Sequence, residues 1–591
     1  MKTERYVGRL RLLALSVLLA MIVACGKKAP EAPKPAPPAA AARGPQKTIT
    51  IPDPAAVTVP DVAVAVRVNR LDQLLPKIEG LVSQIRADIN ADTIKARMGR
   101  VLNDPALSGV DQSRPILLCV FDPAGAGPPR AALVIPVTSD QYKTKFQAMG
   151  MHVYQKEGGK TLLIAQAEPA AVAGRKSFDQ LEALLGQPIT GDVNVYVNVE
   201  MLMTHHTAEI EAVVNQMSQM MEQMEQAGAG MAGSSAMLAM EVRAILSTIK
   251  EIKDLGLDIS VSKDGLDLGA ILRAKQGTAL AKLCDQPVIP DMSALSYVPG
   301  SGAIIGCSGG DSGKVSDFFG AKIDEVFTAT SGPAVLVKRA ELKSLLDRLL
   351  RLQKSKAFDF LCTTGSVLNG VSIVEVTDPT AYINEMKNLP KNLEAAGIIA
   401  FYKKMNMTMT VTFKENVRNY SGVPIHQMIT DVTLPQTPEM PPFMAGILKN
   451  VTHQEYEIAA TGNYVVHDMG TKKVEAIIDA IKAKKPLWTP SLNAQSVFPK
   501  EGCIYADILP GRLASWGVQI AQSFLGPLLA GAGPEADAVL ARFKTLQTKP
   551  ISFFASVSQG KVQTKLVLPV DPILKIQGLL AGPPPAPPKA L

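Results

Sequence analysis

Two stretches of the chain have valine at every second residue, and both predict the same kind of secondary-structure element. Residues 62–68 read VAVAVRV, and residues 193–199 read VNVYVNV. A period of two residues is typical of a half-buried β-strand, whereas an amphipathic helix has a period near 3.6. Asp61 precedes the first stretch as Asp192 precedes the second. The match predicts that the body of the protein contains repeated units.

The same order of elements returns in the second half. Residues 502–508 again place a strand before a helix, and residues 551–568 repeat the pattern of an earlier hairpin. That earlier hairpin contains Asp264-Gly265, a strong signal for a tight turn. We therefore expect an internally duplicated α+β fold, in which each half has two modules of antiparallel sheet packed with helices.

The N-terminus carries a short apolar run that ends in a cysteine. The run spans 13 residues, 12–24, and follows four basic residues. A helix needs about 20 residues to cross the hydrocarbon core, so the run predicts a cleaved export signal. Its ending, Ile22-Val23-Ala24-Cys25, resembles the lipobox of bacterial lipoproteins. The resemblance implies cleavage before Cys25 and lipidation of Cys25; the alternative is an ordinary secretory signal with an incidental cysteine.

The same resemblance gives an expected location. In that family an Asp directly after the lipidated cysteine often signals retention in the inner membrane, and here that position is Gly26. The outer membrane is therefore favoured, with the body in the periplasm or at the cell surface. The Pro/Ala-rich residues 29–45 would reach roughly 50 Å as an extended chain. We expect this tether to hold the body away from the bilayer.

The repeats and the composition together predict the boundaries of the segments of the chain. The general layout resembles uncharacterised bacterial envelope proteins with repeated strand, long-helix and hairpin units. The expected segments are a signal peptide (1–24), a tether (25–58), two modules of the first half (59–188 and 189–290, the latter with a Met-rich helix hairpin), two modules of the second half (291–490 and 491–576) and a Pro-rich tail (577–591).

Composition argues against nucleic-acid binding and gives no metal-binding pattern of cysteines. The net charge is +7 over 591 residues, and part of it belongs to the signal. That is near balance for a chain of this size. Six cysteines are present, and none forms a CxxC pair. Cys119 and Cys503 lie in strand-like runs, where a free cysteine usually acts as a small buried hydrophobe. The sequence leaves open whether one or two disulfides form, because an exported protein can form them.

One Gly-rich loop matches parts of two catalytic motifs. Residues 310–313 read GDSG, as around a trypsin-like nucleophile, but none of the six histidines has the sequence context of that family. The loop also nearly matches a phosphate-binding P-loop, yet Val315 replaces the hydroxyl residue that holds Mg²⁺. We interpret the loop as the cap of a helix. The sequence predicts no catalytic residue and no cofactor.

Methionine is concentrated in one predicted helix. Met217, Met220, Met221 and Met224 have the spacing of a single helical face. Such a face can pack in a core or helix hairpin, or form an apolar surface for lipid or peptide. It can also offer thioether ligands to Cu(I), which makes these four residues the metal-site candidates of the sequence.

A basic amphipathic helix is predicted at residues 339–356. Its leucines form one stripe, and its lysines and arginines outnumber its acidic residues. The two interpretations are a core-facing helix with a solvated basic face and a surface for anionic lipid.

These features predict a lipid-anchored envelope protein of the non-enzymatic binding or scaffolding type. Its expected partners are the membrane, through Cys25, and an envelope protein or apolar ligand. The alternative is a carrier of lipid or another apolar ligand, and Cu(I) binding is a third possibility.

Overall fold

The computed structural model describes most of the body of the protein. The described residues are 62–86, 90–101, 104–121, 130–156, 158, 160–165, 191–226, 244–285, 293–327, 336–362, 369–404, 407–433, 452–488, 502–529, 541–542 and 545–580. The predicted signal, lipobox and tether lie outside them, as do residues 581–591 of the predicted tail. Residues 577–580, which the sequence assigned to that tail, are the end of a helix.

Eighteen β-strands occur in the described residues, about half in each half of the chain. They are β1 (Val62–Val68), β2 (Ile116–Phe121), β3 (Arg130–Pro136), β4 (His152–Lys156), β5 (Thr161–Ala165), β6 (Val193–Val197), β7 (Ile252–Ser262), β8 (Gly265–Ala274), β9 (Ile304–Gly309), β10 (Gln353–Phe360), β11 (Gly370–Val376), β12 (Thr408–Tyr420), β13 (Val423–Thr433), β14 (His453–Thr461), β15 (Tyr464–Met469), β16 (Gly502–Ile508), β17 (Ile551–Ser558) and β18 (Lys561–Pro569).

Helices lie between the strands in both halves. Those with both ends in the described residues are α1 (Leu71–Ile85), α2 (Ala91–Val101), α3 (Gln141–Ala148), α4 (Val199–Gln226), α5 (Ala279–Leu283), α6 (Ser312–Val326), α7 (Arg339–Arg351), α8 (Pro379–Ala395), α9 (Ile398–Lys404), α10 (Val474–Ala483), α11 (Pro510–Leu529) and α12 (Asp571–Leu580), together with a 3-10 turn at Ser293–Tyr297. No helix of the described chain combines the length and the apolar character that crossing a bilayer requires.

The strands join into one continuous antiparallel sheet. From one edge to the other their order is β4-β5-β3-β2-β1-β6-β7-β8-β18-β17-β16-β9-β10-β11-β15-β14-β13-β12. The α+β class with antiparallel sheet is therefore confirmed. The two halves meet where β8 pairs with β18, in the middle of this order. The predicted module boundaries fall within the sheet, because pairing of β1 with β6 and of β9 with β16 crosses them.

The first alternating stretch is β1, as predicted, but both of its faces are covered. Ala65 and Arg67 are buried on one face. On the other face Val66 packs with Leu74 of α1 and Val261 of β7. The strand is central in the sheet, and its buried and partly buried positions alternate from Ala63 onward, in agreement with the predicted half-buried strand.

The second half has a core on each side of the sheet. On one side Ile373 and Val466 pack with Ile477 of α10. On the other side Val374 and Val465 pack with residues of α8. Neighbours along a strand thus enter different cores, because successive side chains point to opposite faces.

The basic helix is shorter than the sequence predicted. It ends at Arg351, and the following residues, QKSKAFDF, form β10. Ser355, Ala357 and Asp359 are buried at every second position. This alternation has the strand period, so the tertiary pairing with β9 and β11 ends the helix before Lys354 and Lys356.

Candidate functional site

The GDSG loop is used to begin a helix. The Asp311 carboxylate accepts hydrogen bonds from the backbone N–H groups of Gly313 and Lys314, at 3.0 and 3.2 Å. Helix α6 begins at Ser312. Side-chain capping of this kind satisfies donors that the first helical turn leaves free. The helix-cap interpretation is confirmed.

The four candidate methionines lie on a helix, but their side chains are outside what the structure describes. Met217, Met220, Met221 and Met224 all belong to α4. Within the described residues, no three His, Cys, Asp or Glu side chains gather as a metal site would require. The packing, apolar-surface and Cu(I) interpretations therefore stay predictions.

Three of the four basic residues of α7 have acidic neighbours. Arg351 lies 2.5 Å from Asp347, and Arg348 lies 3.0 Å from Glu385 of α8. Lys343 pairs with Asp324 of α6. Because these ion pairs neutralise positive charge within the protein, less positive charge remains on the helix to attract anionic lipid. The core-facing interpretation is favoured.

Five cysteines are described, and all are buried and free of disulfides: Cys119, Cys284, Cys307, Cys362 and Cys503. Burial raises the pKa of Cys307 to about 12 and that of Cys284 to about 11. A thiol with such a pKa is a poor nucleophile. These residues act as small apolar side chains, as predicted for Cys119 and Cys503.

One group of polar side chains remains without an evident structural use. Lys356 of β10 lies opposite Val374 of β11, while Ser372, two residues earlier on β11, lies opposite His467 of β15. Residues two apart on a strand point to the same side. Lys356, Ser372 and His467 therefore share one face across three neighbouring strands. We call these three residues the Lys356 group.

The surroundings of this group are apolar. Val374, the direct partner of Lys356, belongs to the core of α8. The ring of Tyr382 meets the ring of His467 edge-on, with centroids 5.8 Å apart. Phe358, two residues after Lys356, stacks on Phe360 with centroids 5.4 Å apart. A cation in such surroundings lacks the solvation that water would give it.

Neither base of the group has a compensating partner within the described residues. Burial lowers the pKa of Lys356, and no ion pair or hydrogen bond accompanies it. The Nε2 atom of His467 is buried and makes no hydrogen bond. Burial, and secondly the charge of Lys356, lowers the pKa of His467 to about 4. Buried polar atoms nearly always have hydrogen-bond partners in proteins. Because the Lys356 ammonium and the His467 Nε2 atom have none, we take the Lys356 group as the candidate binding site.

A second buried polar group lies in the first half. Asp254 of β7, which is 1% exposed, pairs with Arg273 of β8 at 2.5 Å. Tyr196 of β6 lies opposite Gly256 and so shares a face with Asp254. Burial, then the charge of Asp254, raises the pKa of Tyr196 to about 12. Its hydroxyl and the Asp254 Oδ2 are buried without hydrogen bonds. The ion pair itself gives this group a structural use.

Two other buried carboxylates, Asp359 and Asp507, stabilise the backbone and neighbouring strands. Asp359 accepts from the backbone N–H groups of Ser301 and Gly302, at 3.0 and 2.6 Å. Asp507 accepts from the Ser552 hydroxyl at 2.6 Å. Burial raises the pKa of both carboxyls. They hold the backbone and neighbouring strands and are not arranged as an acid–base pair.

The sequence indicated none of the three members of the Lys356 group as a functional residue. The helical pattern places Lys356 on the predicted basic helix, and His467 stands in no recognisable motif. The alternation of QKSKAFDF was the available signal, since it places Lys356 on a strand beside Phe358. Pairing of His467 with Ser372 depends on strands far apart in sequence, which periodicity alone does not specify.

Comparison with known proteins adds no family to this description. No protein family model matches the chain. No curated protein and no solved structure is similar enough to count as a match.

Proposed function

We propose that the protein is a lipid-anchored component of a bacterial cell envelope with a non-enzymatic binding or scaffolding role. The observation that carries the proposal is the sequence Ile22-Val23-Ala24-Cys25 after a short apolar run. Cys25 would be the lipidated residue, and the outer membrane is the favoured location. The body would then meet an envelope protein or apolar ligand at a distance set by the tether.

We further propose that the body arose by internal duplication. In the first half β1 lies between β2 and β6, and in the second half β9 lies between β10 and β16. The strands β5-β3-β2 are ordered as β15-β11-β10 are, and β6-β7-β8 as β16-β17-β18 are. The hairpin β12–β13 would be an insertion in the second copy. Superposing an experimental structure of the two halves tests this: equivalent strands must overlay in this order.

A carrier of an apolar ligand is the second candidate. It is supported by the Lys356 group, where two bases lie among apolar side chains without partners. Mass spectrometry of the full chain, purified from membranes under native conditions, separates the candidates. A co-purifying apolar ligand supports the carrier, and its absence supports a binding or scaffolding role.

The anchor is tested by metabolic labelling with a palmitate analogue. We expect the wild-type chain to be labelled and cleaved, and Cys25→Ala to remain an unlabelled precursor. Cys119→Ala is the control, because that thiol is buried in β2 and should leave labelling unchanged. Labelling of the Cys25→Ala chain would contradict the proposal.

A further inference from the structure

The Lys356 group carries a net positive charge, and no acidic side chain of the described residues forms an ion pair with Lys356. The nearest acidic residue along the paired strand is Glu375, but it lies opposite Ser355. Its carboxylate accepts a hydrogen bond from the Ser355 hydroxyl, at 3.0 Å between the two oxygens. Because Ser355 and Lys356 point to opposite faces, Glu375 belongs to the other side of the sheet. Glu375 also lies 3.7 Å from Lys354, which gives Lys354 the partner that Lys356 lacks.

The proposed duplication gives Lys356 an apolar counterpart in the first half. Under the proposed duplication, Ala65 and Cys307 correspond, because each pairs with a tyrosine of the next strand, Tyr196 or Tyr505. The opposite neighbour of Ala65 is Cys119, and that of Cys307 is Ala357. The position equivalent to Lys356 is then Leu118.

An apolar residue at the equivalent position shows what packing alone would select there. A buried or half-buried ammonium without an anion is unfavourable, so a lysine in its place needs another reason. A bound anion would provide one, since it supplies the missing charge.

We propose that the Lys356 group binds the carboxylate of an apolar amphiphile, such as a medium- or long-chain fatty acid. The Lys356 ammonium supplies the ion pair, while the Ser372 hydroxyl and a ring N–H of neutral His467 supply hydrogen bonds. Phe358, with its stacking partner Phe360, provides apolar surface beside the charge. This inference deepens the carrier candidate and does not depend on lipidation of Cys25.

One singly charged head group fits this donor set best. The group contains one cation and two neutral donors, which matches the single charge and two oxygens of a carboxylate. The apolar surroundings favour a ligand with an alkyl chain over a small hydrated ion. Small carboxylates and inorganic phosphate have the same attraction to Lys356 but cannot use the phenyl rings.

The test is binding of decanoate labelled with ¹³C at the carboxyl group to the purified full chain. We expect a shifted carboxyl resonance and a raised melting temperature with decanoate, and neither effect with acetate or inorganic phosphate. Lys356→Met should weaken decanoate binding by about tenfold to a hundredfold, as loss of a hydrogen bond to a charged group predicts. Lys354→Met is the matched control and should bind as wild type does.

Folding of the variant can be checked independently of the ligand. Without ligand, Lys356→Met should melt at or above the wild-type temperature, because it removes an uncompensated cation. Ser372→Ala gives a second, milder variant that should weaken binding. Equal decanoate binding by wild type and Lys356→Met would overturn the proposal, as would equal effects of acetate and decanoate or no binding at all. Failure of these tests leaves the Cys25 proposal standing, since that has its own measurement.

Discussion

The carboxylate of Asp468 accepts hydrogen bonds from both the backbone N–H and the hydroxyl of Thr471, at 2.8 and 2.6 Å. Its other oxygen accepts from the backbone N–H groups of Lys473 and Val474, at 2.5 and 3.0 Å. One carboxylate thereby joins the end of β15 to the start of α10. Asp468 is 1% exposed, so these four bonds replace its contacts with water.

Replacing Asp468 should destabilise the second half strongly. Asp468→Ala leaves the first turn of α10 uncapped and buried donors unsatisfied, which predicts a loss of about 2–4 kcal/mol in the free energy of unfolding. Chemical denaturation measures this loss. Asp378→Ala is the control: Asp378 caps α8 at an exposed site through a single bond to Ala381, so about 1 kcal/mol is expected. Equal losses for the two variants would contradict the cap assignment.

Local signals in the sequence located many elements of the fold. Alternation predicted β1 and β6, and Asp264-Gly265 marked the turn before β8. The glycine is needed there because its φ is +151° and a Cβ would lie 2.1 Å from the Leu568 carbonyl oxygen. The order of the strands was not predictable in the same way. The contact of β8 with β18 joins residues nearly 300 positions apart in the sequence, and a period of two residues does not choose a partner.

The candidate site was missed for a related reason. Its three residues come from β10, β11 and β15, and none stands in a short motif. Lys356 followed a helical pattern of leucines and basic residues, which extended the predicted helix too far. Only the pairing of the strands brings Ser372 between the other two residues and reveals that the lysine has no acidic neighbour.

Acid should destabilise the protein through His467. Its pKa is about 4 in the folded protein, against 6.5 for an ordinary histidine, because burial disfavours the charged ring. The folded state therefore prefers neutral His467. The stabilisation is fully present above pH 6.5 and is lost as the pH falls toward 4. The difference is on the order of 3 kcal/mol.

Replacement of His467 by Phe should remove this part of the pH dependence. We expect the stability of His467→Phe, measured by denaturant unfolding from pH 7 to pH 4, to fall less steeply than that of wild type. His453→Phe is the control, because His453 is exposed and lies 2.6 Å from Asp431 at the surface. The assignment fails if His467→Phe and wild type lose the same free energy over this range.

The ion pair between Asp254 and Arg273 predicts a strong coupling between the two residues. Arg273→Met leaves the Asp254 carboxylate buried and uncompensated, which should cost about 3–5 kcal/mol. Asp254→Leu with Arg273→Met removes both charges and should cost clearly less than the two single variants together. A double-mutant cycle from denaturant unfolding measures the coupling. Additive single losses would show that the pair contributes no mutual stabilisation.

The five described cysteines should be protected as long as the protein is folded. All are buried, and burial raises the pKa of each thiol, so the reactive thiolate is scarce and inaccessible. We expect a water-soluble thiol reagent to modify none of the five in the native protein and all of them after denaturation. Quantification of modified residues by mass spectrometry gives the result for each position. Omitting reducing agent should leave the denatured count unchanged, because these thiols form no disulfide. Rapid modification of Cys284 or Cys503 in the native protein, or a lower denatured count without reductant, would contradict this assignment.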